Sequence, residues 1–191
     1  TALSDADQLN YELFRRQLQD DVDLYKFGGH LMPFFHRGGV QNLENTTNRL
    51  RLVTPQDFDN WLARMSKVDV LIEQRIKRAE AGRKADLMAP IVLMQRITSQ
   101  LALQLVENAE DSPFYRVFQE LPDSVPAEER ERLRAAALET IEETVLPAYK
   151  KLDRYFTDKY LPASRESIGQ SALPNGSAWY ENLARSFTTT R

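Results

Sequence analysis

The sequence has no cysteine and only two histidines, His30 and His36. Without thiols there can be no disulfide, no cysteine nucleophile, no iron–sulfur cluster and no cysteine zinc site. The absence leaves the compartment open, because a cysteine-free chain folds in either redox setting. No apolar run approaches the roughly 20 residues that a membrane-spanning helix needs. Neither charge sign dominates: 25 basic against 28 acidic residues give a net charge of −3. That balance, with a pI near 5.5, argues against nucleic acid as a main partner.

What is present is the composition of a folded protein, 42% hydrophobic and 28% charged over 191 residues. That length suits one domain with a core of its own, and residues 1–191 are read as a single helical domain. Helix signals run along almost all of it. Ser4 or Asp5 can cap a first helix reaching about Phe27, with Leu9, Leu13, Phe14, Leu18, Val22 and Tyr25 on one face. Gly28-Gly29 ends it. Residues 28–53 read as a long irregular loop, with a short helix possible within Leu43–Leu52. In it two Gly-Gly pairs bracket the apolar His30–Arg37, and a loop this apolar is expected to be buried or to cover a site.

Thr54-Pro55-Gln56-Asp57 is a clear helix start, with a capping threonine, a proline in the first position and a carboxylate reaching back. The stripe Phe58, Leu62, Met65, Val68 or Val70, Ile72, Ile76 predicts one helix to about Ala81, ended by Gly82. Pro90 opens another, and Ser112-Pro113 a short one. Pro126 opens the longest, with Leu133, Ala137, Ile141, Val145, Tyr149, Leu152, Phe156 and Tyr160 inward. Over residues 126–161 it would extend roughly 54 Å at 1.5 Å per residue. Pro147 lies inside it and removes the partner of the Glu143 carbonyl, which predicts a kink. Leu173-Pro174-Asn175-Gly176 is a turn before a last helix carrying Trp179, Tyr180 and Leu183. With no β alternation, the class is all-α, a bundle of long antiparallel helices.

Chemistry is sparse. His30 and His36 are six residues apart with no carboxylate between them, unlike the H-E-x-x-H spacing that puts two imidazoles on one helix face. They read as loop histidines, and no metal ligands are assigned. Arg75, Lys77, Arg78, Arg83 and Lys84 read as cations solvated at a helix C-terminus. Glu139, Glu142 and Glu143 read as an acidic solvated face. The turn into the last helix is the one candidate binding site. Gly176 would permit close backbone approach, and the Tyr180 hydroxyl could donate to a carbonyl or oxyanion. The alternative there is a loop-to-helix junction with both aromatics in the core.

Thr1 is not a methionine, no signal-peptide pattern follows it, and Arg191 is the kind of end a trypsin-like protease leaves. These features predict a piece of a longer polypeptide.

Three stretches together resemble one family. They are Asp21–Gly29 with Pro33, Phe58–Pro90, and Tyr160-Leu161-Pro162-Ala163-Ser164-Arg165 with Leu173-Pro174-Asn175-Gly176, Tyr180 and Thr188-Thr189-Thr190. Their order resembles the bacterial family called domain of unknown function 885, longer proteins similar to zinc metallopeptidases of the H-E-x-x-H type. That motif is absent here, so no catalytic residue or zinc ligand carries over to this chain. The resemblance implies zinc in a missing C-terminal half. Asn175, Gly176 and Tyr180 would then border a peptide-substrate cleft. It also implies export, periplasmic or as a lipoprotein. The expectation is an N-terminal helical wall, inactive when isolated. Its partner would be that missing half, and its uncovered apolar surface could pair two copies. The competing reading is a complete helical module that binds a protein or peptide without catalysis.

Overall fold

A computed structural model describes residues 3–188. Thr1, Thr189, Thr190 and Arg191, which the sequence reading drew on, lie outside the described residues. The helices are α1 (Asp5–Tyr25), α2 (Pro55–Met65), α3 (Val68–Lys84), α4 (Ile91–Ala102), α5 (Arg116–Gln119), α6 (Ala127–Thr140), α7 (Leu146–Tyr155) and α8 (Gly176–Phe187). No strand occurs among the described residues, only isolated bridges joining Phe35 to Gly38 and Pro90 to Arg165. The all-α class is therefore correct.

The caps form as the sequence dictates. The Ser4 hydroxyl accepts from the Asp7 N–H at 3.2 Å. At α2 the Thr54 hydroxyl accepts from the Asp57 N–H at 3.3 Å, and the Asp57 carboxylate accepts from the Thr54 N–H at 2.8 Å. Those donors hold the Asp57 carboxyl below its usual range.

Five expectations need correction. The helix expected to run unbroken to Ala81 is two, α2 and α3, separated at Ser66-Lys67. There the Ser66 hydroxyl donates to the Ala63 carbonyl at 3.0 Å, and the Lys67 N–H takes the Arg64 carbonyl three residues back. Such local bonds compete with the helical ladder. Gly82 does not end α3 but lies within it, where a Cβ would come 2.2 Å from the Leu31 carbonyl oxygen. It is the residue that lets the loop lie on the helix.

The segment 28–53 is less irregular than expected. It contains 3-10 turns at Gly29–Leu31 and Val40–Arg49.

The long helix from Ala127 to Tyr160 is continuous, but its interruption takes the form of a wide turn. Ile141–Val145 and Phe156–Tyr160 are π-helical, and the Leu161 N–H reaches back five residues to the Phe156 carbonyl. The first wide turn sits just before Pro147, where the proline has taken away an α-helical donor.

The helices are not uniformly antiparallel. Arg132 pairs with Asp59, Lys151 with Glu73, and the Tyr155 hydroxyl reaches Glu80. The numbers rise together, so α2–α3 run parallel to α6–α7. The chain between α3 and α6 is long enough to return to the starting end, and short loops alone would enforce antiparallel neighbours. α4 supplies the antiparallel return: its start is bonded to Arg165, and Gln104 just past its end meets Gln41, beside the Val40 that Tyr149 holds.

Leu133, Ala137, Ile141, Val145, Tyr149, Leu152, Phe156 and Tyr160 are all buried at this junction. They pack against Phe58, Met65, Ile72, Met94, Ile97 and Phe118 in the main core. A second, smaller cluster of Leu87, Leu173 and Trp179 ties the start of α8 to Leu24, Phe27 and Leu31.

α1 is different. None of its residues is buried, and Leu9, Leu13, Phe14, Leu18, Val22 and Tyr25 are 48–65% exposed. Its neighbour is α8, which it meets antiparallel: Arg16 donates to the Arg185 carbonyl, and Phe27, just past its end, stacks on Trp179.

Candidate functional site

The turn before α8 is built by its own residues. The Gly176 N–H donates to the Leu173 carbonyl at 2.8 Å, and Asn175 adopts a left-handed φ of 55°, which asparagine tolerates better than most residues. The Asn175 carbonyl then takes the first helical bond, from the Trp179 N–H at 2.9 Å. Gly176 is buried, and a Cβ there would lie 2.0 Å from the Gln170 carbonyl oxygen. The close approach that glycine allows is made by the chain's own backbone.

α8 then sorts its two aromatics, because neighbours on a helix differ by about 100°. Trp179 turns inward at 6% exposure and stacks on Phe27 with centroids 5.7 Å apart. Tyr180 turns outward at 63% exposure. Its hydroxyl makes no hydrogen bond among the described residues, and it lines a cavity of about 360 Å³ with Gln170, Ser171, Ser177 and Glu181. The structure thus joins Asn175 and Gly176 in one turn and sets Tyr180 one helical turn further on, over a cavity whose wall the first two do not enter.

The histidines do not meet. His30 stacks face to face on Tyr25, 4.1 Å between centroids, in the wall of one cavity, and His36 lies in another. Among the described residues no three His, Asp or Glu side chains gather as a metal site. Of the basic cluster, Arg83 is paired with Glu80 at 2.8 Å on the same helix. Glu139, Glu142 and Glu143 point into solvent.

The cavity that His36 lines, about 490 Å³, is one that no local sequence signal marks out. It opens beside Gly38-Gly39, where the backbone takes φ values of 156° and 138°. Three glutamines support this loop from beneath. Gln41 Nε2 donates to the Phe35 carbonyl at 2.7 Å, to the Gly38 carbonyl at 3.2 Å and to Gln100 Oε1 at 3.0 Å. Gln100 Nε2 donates to the His36 carbonyl at 2.8 Å. Gln104 Nε2 donates to the Gln41 carbonyl and to Glu44 Oε2, at 3.2 and 3.0 Å. Burial pushes the Glu44 carboxyl up, with the Gln104 hydrogen bond only partly opposing it. The signal available in the sequence was the pair of Gly-Gly steps around an apolar loop. Which polar side chains it would gather depended on α4, far along the chain.

The fold and the turn at Leu173–Gly176 define an all-helical protein with π-interrupted long helices. The chain belongs to the family described as bacterial protein of unknown function (DUF885), whose model matches residues 1–191. It shares its fold with a solved protein from Colwellia psychrerythraea described as a putative lipoprotein, at 21% identity and a TM-score of 0.65. The likeness covers 80% of this chain and 26% of that one, so the chain spans about a quarter of the length of that relative. Among curated proteins none matches the chain. No helix among the described residues is long and apolar enough to cross a membrane.

Proposed function

We propose that this chain is the N-terminal helical portion of an exported, zinc-metallopeptidase-like protein. It forms one wall of the substrate cleft and is inactive on its own. The observation that carries this reading is α1, a 21-residue helix with a continuous apolar stripe and no buried residue. A stripe of that size is normally covered, and the rest of a longer polypeptide is the covering the reading supplies. The length of the Colwellia protein relative to this chain supports it.

In this reading zinc belongs to the downstream half, where such an ion polarises a peptide carbonyl and activates water. Among the described residues no three His, Asp or Glu side chains gather to hold it, and in this reading the chain contributes contacts to the substrate. Tyr180, outward and unpartnered over its cavity, is the group placed to donate to a peptide carbonyl. Asn175 and Gly176 hold the helix start from which it projects.

The test is peptide hydrolysis with added zinc, by this chain alone and by the polypeptide its natural reading frame encodes. The reading expects turnover only from the latter. Turnover by this chain alone would refute it; a reading frame that stops at Arg191 would refute it and favour a complete peptide-binding module.

A further inference from the structure

Arg37 and Arg49 both stand in the wall of the 490 Å³ cavity beside Gly38-Gly39. Neither guanidinium has a hydrogen bond or ion pair among the described residues, unlike Arg15, Arg83 and Arg132, which are paired with carboxylates. No Asp or Glu lines the cavity. The nearest carboxyl in sequence, Glu44, is 8% exposed and engaged by Gln104 and by Asn45 Nδ2 at 2.9 Å. Two further groups in the wall lack partners. His36 Nδ1 is buried without a hydrogen bond, and the Asn42 carboxamide makes none among the described residues. Beneath the loop, Gln41 is fully buried and its Oε1 is also unpartnered.

The loop's shape is held from the inside. The carbonyls of Phe35, His36 and Gly38 are each taken by a glutamine N–H. Tyr149 anchors Val40, two residues past Gly38, from the main core. The cavity is therefore a fixed concavity with two free cations and a free amide. It is not a gap in a mobile loop.

We propose that this cavity binds a carboxylate group, held by the Arg37 and Arg49 guanidiniums with Asn42 and His36 as additional polar contacts. Planar guanidinium forks match a planar carboxylate with two parallel bonds. Two guanidiniums among neutral amides, with no carboxylate in the wall, leave uncompensated positive charge that suits an anion. The carboxylate can come from a peptide's C-terminus or from a free small acid. The proposal rests on this cavity alone, and it stands or falls independently of the peptidase-like reading.

The test titrates the chain calorimetrically with N-acetyl-alanyl-alanine, with its C-terminal amide, with acetate and with inorganic phosphate. The same titrations are made on R37A and R49A, with helicity checked by circular dichroism. Both arginines are exposed and unpaired, so neither substitution should unfold the chain. The dipeptide acid should bind, and the amide should bind about tenfold more weakly or worse, the scale of lost hydrogen bonds to a charged group. R37A and R49A should each weaken the acid similarly. Acetate matching the dipeptide acid would identify free small acids as the ligand, and a tighter dipeptide would identify a peptide C-terminus. No binding of the acid, equal binding of acid and amide, tighter binding of phosphate than of the acid, or variants that bind like the parent would each overturn the proposal.

Discussion

The Tyr149 hydroxyl donates a 2.7 Å hydrogen bond to the Val40 carbonyl, across 109 residues of sequence. Tyr149 is fully buried on the long helix, and Val40 opens the 3-10 turn behind Gly38-Gly39. The bond ties the loop to the main core, beside the carbonyls that the glutamines take. Burial pushes the Tyr149 hydroxyl up in pKa, so it stays a donor throughout the physiological range. Tyr149→Phe should destabilise the chain by about 0.5–1.5 kcal/mol through the lost hydrogen bond. Denaturant unfolding measures this. An unchanged midpoint would mean the bond is not made.

Glu44 gives a pH dependence with a definite sign. Its carboxyl is raised above the ordinary value of 4.5, chiefly by burial. Ionisation is therefore easier in the unfolded chain than in the folded one. The stability associated with the neutral form is fully present below about pH 4.5 and is lost as pH rises through the folded value. Glu44→Gln keeps an acceptor for Gln104 without the charge. It should raise the melting temperature at pH 7 relative to the parent, and the gain should vanish at pH 4. A gain of equal size at both pH values would contradict this origin.

Gly176 tests the turn before α8. A methyl group there would meet the Gln170 carbonyl oxygen at 2.0 Å, backbone that cannot move without displacing the turn. Gly176→Ala should cost about 1–3 kcal/mol, the usual scale of overpacking, seen as a lower thermal midpoint. Asn175→Gly should be tolerated, because glycine reaches the left-handed region at no steric cost.

Tyr180 separates binding from folding. Its side chain is mostly exposed and its hydroxyl unpartnered, so Tyr180→Phe should leave the melting temperature of this chain unchanged. If the natural reading frame encodes the proposed longer polypeptide, the same change there should lower peptide turnover about 100-fold where the hydroxyl donates to a developing oxyanion. Unchanged turnover would remove Tyr180 from the cleft.

The core was legible in the sequence because it follows one pattern. Every residue of the Leu133–Tyr160 stripe is buried. Its spacing, four residues at every step but Tyr149 to Leu152, also encodes the wide turns. At 3.6 residues per turn, steps of four drift by about 40° each, and a straight α-helix would have carried Tyr160 out of the core. The wide turns at Ile141–Val145 and Phe156–Tyr160 absorb that drift. The break at Ser66-Lys67 was hidden because Met65 and Val68 stay apolar on both sides of it. The parallel course of α2–α3 beside α6–α7 was hidden because it depends on how far the intervening chain travels, which no local pattern encodes. At the candidate site, the turn Leu173–Gly176 was readable from its residue types. The opposite fates of Trp179 and Tyr180 were not, since both would satisfy an amphipathic stripe. The arginine-lined cavity depends on contacts from Gln100 and Gln104 across some 60 residues, beyond the reach of any local signal.

The central claim is that the apolar face of α1 is covered by the rest of a longer polypeptide. The chain's lack of cysteine allows a direct measurement. Leu13→Cys places one thiol at a position now 58% exposed, and its alkylation rate can be followed by peptide mass spectrometry. The account predicts rapid labelling in this chain alone and labelling slowed by about tenfold or more in the polypeptide encoded by the full reading frame, where burial limits access. Equal rates in the two would contradict it.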